Sequence, residues 1–483
     1  MGSFRFFRHT THLFRHQLPT EFVLLGIIEF LALMLALYLA LELRFQGDGW
    51  EPVIGSFLPK ALLYAVVMQL SLVAMSVYQR QVGRFVEVLM LRIASGLLLG
   101  LVPLGMSYYF VPTFFLGRGV LVLTTLISFL LISFIRLFYR RVITERSLWP
   151  RVMVLGCGDK ANLVGGSLKA GELKYINIVS FVAMPGDQQR ENGLDCIALD
   201  GSLAQFVEEL DEPLVQYVEE KGIDEIVLAV DDRRAGLPNK ELLECKMSGI
   251  DILDMVSFFE RRAGKIRLDI LYPSWLYLSE GFRESTFRRA GKRVFDIAIV
   301  LLALPVALPL GLLIAGAVFL ESRGRGSVLY KQTRVKEEGR PFQMYKFRSM
   351  VVDAEQGGVV RWASKNDARV TRVGSVLRKF RLDELPQLLN VLKGDMSFVG
   401  PRPERPEFVR QLAEKIPYYD ERHRVKPGLT GWAQIRYPYG ESEEDALQKL
   451  QYDLYYVKNY SVFLDLLIML QTAEVVMLGK GAQ

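Results

Sequence analysis

Four apolar stretches lie between residues 20 and 140, at roughly 22 to 43, 53 to 78, 88 to 111 and 117 to 139. Each is long enough to cross a hydrocarbon layer as a helix. Inside a bilayer the backbone N–H and C=O groups must be satisfied within the segment, so runs of this length exclude an ordinary soluble start to the chain. No convincing small-x-small cleavage site follows any of them, and they read as anchors and not as a signal peptide. Arg5, Arg8 and Arg15 precede the first stretch, and Arg80, Arg84 and Arg92 lie between or at the edges of the second and third. Arg140, Arg141, Arg146 and Arg151 follow the fourth, whereas the other two connections offer only Arg44 and Arg118. By the positive-inside rule both ends of this four-helix bundle face the cytoplasm.

A fifth apolar run, "VFDIAIVLLALPVALPLGLLIAGAVFL" from 294 to 320, differs from these four. As a straight helix it would extend roughly 40 Å, enough to cross a bilayer. Pro305 and Pro309 sit at its middle, and a proline inside a helix costs about 3 kcal/mol or more. The run is also basic on both sides, with Arg288, Arg289, Lys292 and Arg293 before it and Arg323, Arg325, Lys331 and Arg334 after it. A helix that enters, breaks at the prolines and returns to the same face satisfies both facts. The alternative, a kinked fifth span, places everything beyond residue 320 outside the cell.

Hydrophobic residues make up 51% of the 483, in keeping with a membrane protein, and the length calls for two or three folded units. The formal net charge of +6 suits an anionic lipid surface or a phosphate-rich substrate as well as it suits nucleic acid. Cys157, Cys196 and Cys245 are scattered without metal-ligand spacing, which fits a reducing cytoplasm for the segment that carries them.

After Trp149 and Pro150 the pattern turns to soluble α/β. "RVMVLGCGDKANLVGGSLK" reads as strand, glycine turn and helix, and "GIDEIVLAVDD" as a later buried strand. Gly156, Gly158 and Ala161 approximate a dinucleotide fingerprint, but "INIVSFVAM" has no acid at its end to hold a ribose, and Asp187 comes only later. A Rossmann-like domain that binds no nicotinamide is the preferred reading over one that does. Tyr217 and Lys221 match Y-x-x-x-K but follow the glycines too soon, and read as a chance pair on a helix.

Beyond residue 330 the bases fall in patterned positions. In "FQMYKFRSM" a period-two strand puts Lys346 and Arg348 on one face with Tyr345 and Phe347 on the other. "VGPRPE" holds Arg402 between Pro401 and Pro403, a stiff backbone for a guanidinium fork suited to phosphate. In "RKFRLDELPQLLNVLKG", Leu385, Leu388, Leu389 and Leu392 recur at i, i+3, i+4 and i+7, predicting a short helix from near 384 to Gly394. That register puts Asp383 at the N-cap and Pro386 in the first turn, behind Arg378, Lys379 and Arg381. Taken alone, the acid pair Asp383 and Glu384 is a cap and a first-turn acid; the motifs around it decide otherwise.

"KFRSM", "RLDELPQLLNVLKGDMSFVGPRPE", "VKPGLTGWAQI" and "YDLYYVKNYSVFLDLLIMLQT" closely resemble the bacterial sugar transferase family. These are the polyprenyl-phosphate hexose-1-phosphate transferases, or monotopic phosphoglycosyl transferases. The resemblance runs from about Lys292 to Ala482, and the upstream spans and glycine-turn segment are similar to large members that start exopolysaccharide or O-antigen assembly. It implies that Asp383 is the nucleophile and Glu384 a magnesium ligand, with Asp383 beside it at the metal. It implies transfer from a nucleotide sugar, a UDP-hexose, to undecaprenyl phosphate, in a homodimer that binds membrane lipid and no nucleic acid. It also implies a re-entrant helix broken at Ser-Pro; here Leu308 precedes Pro309, so the serine is missing and the break rests on Pro309, helped by Pro305.

The chemistry fits the residues directly. A carboxylate that attacks a sugar diphosphate meets like charge, and Lys346, Arg348, Arg378 and Arg402, with Glu384 and magnesium, are the groups to offset it. The tail from Ser461 to Leu478, apolar apart from Asp465, Gln471, Thr472 and Glu474, suits the membrane interface. The expected fold is thus a membrane protein, α plus α/β. It has a four-helix transmembrane domain (1–145), a Rossmann-like domain (146–270), a linker (271–288) and a catalytic α/β domain (289–483) whose re-entrant helix is 294–320. The N-terminus and catalytic domain are expected on the cytoplasmic side of a bacterial inner membrane. Two rivals stay open: a membrane-anchored NAD-dependent sugar-nucleotide epimerase or dehydratase using the glycine turn, and an inactive scaffold of a polysaccharide export system.

Overall fold

The computed structural model describes residues 10–13, 16–45, 49–51, 55–75, 77, 86–143, 149–173, 176–184, 196–197, 214–231, 237–279, 281–282, 286–351, 369–437, 440 and 442–477. Arg5, Arg8, Arg15, Arg80, Arg84, Arg146 and Asp187 lie outside them. The chain forms two compact units, one of Met1–Leu13, Gln17–Leu24 and Leu137–Leu278, the other of Phe14–His16, Leu25–Arg136 and Ser279–Gln483.

Two short strands, β1 (Thr10–Leu13) and β2 (His16–Pro19), precede four long apolar helices: α1 (Thr20–Phe45), α2 (Phe57–Ala74), α3 (Val86–Phe110) and α4 (Arg118–Ile143). Leu33, Tyr64, Met68, Leu72, Ile93 and Leu97 form their common core. Leu31, Leu91, Leu98 and Phe134 instead stand more than half exposed on the outside, which suits a lipid solvent. Gly100 lets α3 come close to α2, since a Cβ there would meet the Met68 sulfur at 2.6 Å. Two polar contacts lie inside: Arg136 holds the fully buried Glu29 through two nitrogens, and the Tyr64 and Ser128 hydroxyls lie 2.9 Å apart.

The other unit carries β3 (Arg151–Leu155), α5 (Asp159–Lys169), β4 (Asn177–Val182), β5 (Cys196–Ile197), α6 (Leu214–Glu220), β6 (Glu225–Leu228), α7 (Asn239–Met247), β7 (Asp251–Asp254), α8 (Met255–Ala263) and α9 (Pro273–Leu278). Its five strands pair in the order β5-β4-β3-β6-β7, all parallel. Parallel strands need crossovers, and helices on both faces bury both sides of the sheet. Val152 and Val154 therefore enter one core with Phe258 and Phe259, while Met153 and Leu155 enter another with Val218 and Cys245. Tyr217 lies on α6, and the Lys221 ammonium sits 5.8 Å from the centre of its ring.

The C-terminal part of the larger unit begins with α10 (Thr286–Glu321) and the hairpin β8 (Leu329–Val335) and β9 (Pro341–Phe347). It continues through α11 (Arg372–Lys379), α12 (Gln387–Lys393), β10 (Ser397–Val399), α13 (Pro406–Lys415), β11 (Gly428–Thr430), α14 (Trp432–Arg436), α15 (Glu443–Asn459) and α16 (Val462–Met477). Among the described residues five helices, Val23–Phe45, Phe57–Ala74, Leu89–Phe110, Arg118–Tyr139 and Thr286–Glu321, are long and apolar enough to cross a membrane.

α10 is one helical element that runs through Pro305 and Pro309. The domain that follows holds it at both ends. At one end Lys292 donates to the Val399 carbonyl at 2.9 Å, and Asp296 accepts from Ser397 Oγ and Phe398 N, each at 2.9 Å. At the other, Ile314 and Val318 pack with Phe347 and Leu377, and Glu321 accepts from Val373 N at 3.0 Å. Between these anchors Leu301, Leu302, Val306, Leu308, Leu312 and Leu313 are all more than half exposed.

α16 differs from a tail resting in the interface. Asp465 is fully buried, with Lys292 Nζ at 2.6 Å and the Tyr456 hydroxyl at 2.6 Å, and the helix packs against α2. A carboxylate with two such donors is at home in the interior, so Asp465 is an internal anchor of this helix.

Candidate active site

The acid pair sits in a turn whose shape is set from both sides. Thr371 caps α11 by accepting from Gly374 N at 2.9 Å, and Gly374 is required there because a Cβ would lie 2.0 Å from the Ser349 carbonyl oxygen. α11 is thereby pressed against the strand end that carries Lys346. Arg381 then takes a left-handed conformation, φ 54°, and Leu382–Glu384 form a single 3-10 turn before α12. The N-cap of α12 is Pro386, and no side chain caps it. Asp383 is thus one turn earlier than the leucine spacing places it, because Arg381 reverses the chain before the helix starts. Its carboxylate is released from any capping duty.

Asp383 is 8% exposed, and the cations converge on the pair. Lys346 Nζ lies 2.9 Å from Glu384 Oε1 and 3.9 Å from Asp383 Oδ2, and Arg402 Nη2 lies 3.6 Å from the same Glu384 oxygen. The two acids consequently diverge. Burial pushes Glu384 up, but Lys346 and Arg402 more than offset it and hold its carboxyl at about 2. Burial also pushes Asp383 up, and there it wins: the charge of Lys346 lowers it, Glu384 beside it raises it, and the net shift is upward. One carboxylate is firmly ionised and the other is made more basic, hence more nucleophilic.

Of the bases read from the sequence, Lys346 and Arg402 meet the dyad directly. Arg378 acts on Asp383 through its charge while its Nε donates to Ser349 Oγ at 2.9 Å. Arg348 follows β9, its backbone N–H bonded to the Val328 carbonyl at 2.9 Å, and its Nη2 is buried without a hydrogen-bond partner. A buried guanidinium donor left open suits an anionic ligand.

The Arg402 loop depends on residues that local sequence reasoning missed. A Cβ on Gly400 would meet the Lys426 carbonyl oxygen at 2.2 Å, and one on Gly428 would meet Gly400 N at 2.1 Å, so the β10–β11 pair closes only with glycine. Pro401 accepts from Gly428 N at 2.9 Å, and Pro403 from Arg334 Nη1 at 3.2 Å. Arg422 donates to the Arg402 carbonyl at 3.0 Å and to Asp453 at 2.8 Å, which fixes the peptide that carries the fork. The one sequence signal for Arg422 is its place just before "VKPGLTG".

Among the described residues no three His, Cys, Asp or Glu side chains cluster to hold a metal ion. Two adjacent carboxylates nevertheless suffice for a hard cation that keeps waters and takes its other oxygens from a substrate diphosphate. The donor set fits magnesium on those terms.

Residues 287–479 match the family described as bacterial sugar transferase. A UDP-glucose:undecaprenyl-phosphate glucose-1-phosphate transferase of Caulobacter vibrioides is 45% identical over 183 residues, 38% of this chain and 67% of that protein. The chain belongs to the bacterial sugar transferase family. A second family relative, the UDP-N-acetylgalactosamine-undecaprenyl-phosphate N-acetylgalactosaminephosphotransferase of Aeromonas hydrophila, is 40% identical over 253 residues, 52% of this chain and 58% of that protein. A UDP-galactose-lipid carrier transferase of Erwinia amylovora is 29% identical over 388 residues, 76% of each chain. Across the first five curated relatives the match spans 36% to 58% of their length. The matched region of the family holds every site residue described above.

Proposed function

We propose that this protein transfers a sugar 1-phosphate from a nucleoside diphosphate sugar, a UDP-hexose, to a polyprenyl phosphate, the initiating step of a surface polysaccharide. The observation that carries this reading is the buried dyad with Lys346 between its members. An Asp383 oxygen attacks the phosphorus next to the sugar; the bond from that phosphorus to the bridging oxygen breaks, and nucleoside monophosphate leaves with the electron pair. A phosphate oxygen of the acceptor then attacks the same phosphorus and releases Asp383. Lys346, Arg378 and Arg402 hold the negative charge that builds on the transferring group, and the open Arg348 donor faces the same need. Asp383 and Glu384 would hold magnesium, which supplies further charge neutralisation on the diphosphate. The relatives' names favour this chemistry over a nicotinamide enzyme or a silent scaffold.

The test is a panel of nucleotide sugars offered with undecaprenyl phosphate, scored by nucleoside monophosphate release with and without a chelator. One sugar should give release that needs both acceptor and magnesium, and Glu384→Gln should lose activity that partly returns at high magnesium. Release from no member of the panel would sink the assignment. Activity indifferent to chelator would remove the metal from it.

The finer architecture belongs to the same proposal: four spanning helices, a Rossmann-like middle domain, and α10 as a re-entrant helix with the catalytic domain on the cytoplasmic side of a bacterial inner membrane. Its support is that one domain grips α10 at Lys292 and again at Glu321. A straight helix would separate these positions by about 43 Å. Glu338 lies on an exposed turn. Glu338→Cys in intact cells should resist an impermeant thiol reagent until the membrane is opened, and labelling from outside would exclude the re-entrant path.

A further inference from the structure

The β3–α5 turn of the middle unit has the outward form of a phosphate cradle, with Gly156, Gly158 and the start of an 11-residue helix. In such a cradle the first-turn N–H groups have no partner within the helix and point at a ligand anion. Here two of them, on Asp159 and Lys160, already have one. Asp231, just past β6, accepts from Asp159 N through Oδ2 at 2.9 Å and from Lys160 N through Oδ1 at 3.0 Å. Lys160, the cation best placed to meet a phosphate, spends its ammonium on the carbonyls of Val230 at 2.7 Å and Asp231 at 3.0 Å.

Gly158 shows how tight this closure is. A Cβ there would lie 1.8 Å from Asp231 Oδ2, so the glycine that a dinucleotide fold keeps for the approach of a pyrophosphate is kept here for the approach of a carboxylate. The end of β4 agrees. It runs into buried Ala183 and Met184, with no acid there for a ribose.

We infer that Asp231 is a built-in anion that occupies the phosphate cradle of the middle unit and closes it to nucleotide ligands. The fold keeps the geometry of a nucleotide site and uses it as an internal clasp between β6 and α5. Its electrostatic logic is that of a bound phosphate, a negative charge at the positive end of a helix. This is independent of the catalytic reading, which concerns the other unit.

Hydrogen–deuterium exchange of the full chain in detergent, followed on peptides covering 156–169, tests it. In the wild-type protein, millimolar NAD, ADP or inorganic phosphate should leave those peptides unchanged. In Asp231→Ala the first-turn amides should exchange at least about fivefold faster, and inorganic phosphate should slow them again by taking the vacated place. Should alanine fail to fold, the isosteric Asp231→Asn should lose the protection of the amide that meets its NH2. Protection of the wild-type peptide by NAD or ADP would overturn the inference, as would unchanged exchange in both variants.

Discussion

Asp383→Asn is expected to abolish sugar-phosphate transfer, by on the order of 10^4-fold or more, because an amide cannot serve as the attacking anion. The same substitution should abolish any radiolabel trapped on the protein from a nucleotide sugar labelled at the phosphate next to the sugar. Folding should survive it. The carboxylate caps no helix, and burial disfavours its charged form, so a neutral group of the same shape removes that desolvation cost, which offsets the lost attraction of Lys346 and Arg378. The measurement is a melting curve beside an assay of turnover and of covalent label. A variant that melts like the wild type and turns over normally would refute the nucleophile.

Lys346→Met should have the next largest effect, about 10^2- to 10^3-fold in kcat/KM, the usual loss when one preorganised cation is removed from a developing negative charge. It should also move the pH profile, and the direction follows from the charges. Lys346 lowers both Asp383 and Glu384, so without it both carboxyls rise. Activity is lost as pH falls through the Asp383 value, which stands above the ordinary 3.8 even with Lys346 present. The acid limb of the variant should therefore lie at higher pH than that of the wild type, read from kcat/KM as pH is lowered from neutral toward the ordinary carboxylate range. A lower rate with an unmoved limb would leave Lys346 a merely structural role.

The parts of this site that could be read from sequence are those with a local signature. Apolar run length marked the long helices, and leucine spacing marked α12, where Leu388 and Leu392 do pack inward while Leu389 is 49% exposed. The acid pair and the pinned Arg402 carried their chemistry in residue type and neighbours. Illegible were the contacts made across long stretches of chain. Nothing near Asp383 announces that Arg381 will turn left-handed and detach it from the helix cap. Nothing near Asp465 tells of Lys292, 173 positions away, nor near Gly158 of Asp231. Such pairings depend on how strands and helices stack, and periodicity, which reports a face, does not report what the face meets.

α10 is gripped by the same domain at both ends and bares apolar side chains between them. If those side chains lie in lipid, the height of Asp383 above the acyl chains is set by covalent chain and packing, and not by chance encounters with the surface. Search for the acceptor then becomes two-dimensional. The rate of the second half of the reaction should follow the mole fraction of polyprenyl phosphate in the bilayer, and diluting the vesicles in buffer should leave it unchanged while diluting the acceptor with inert lipid slows it.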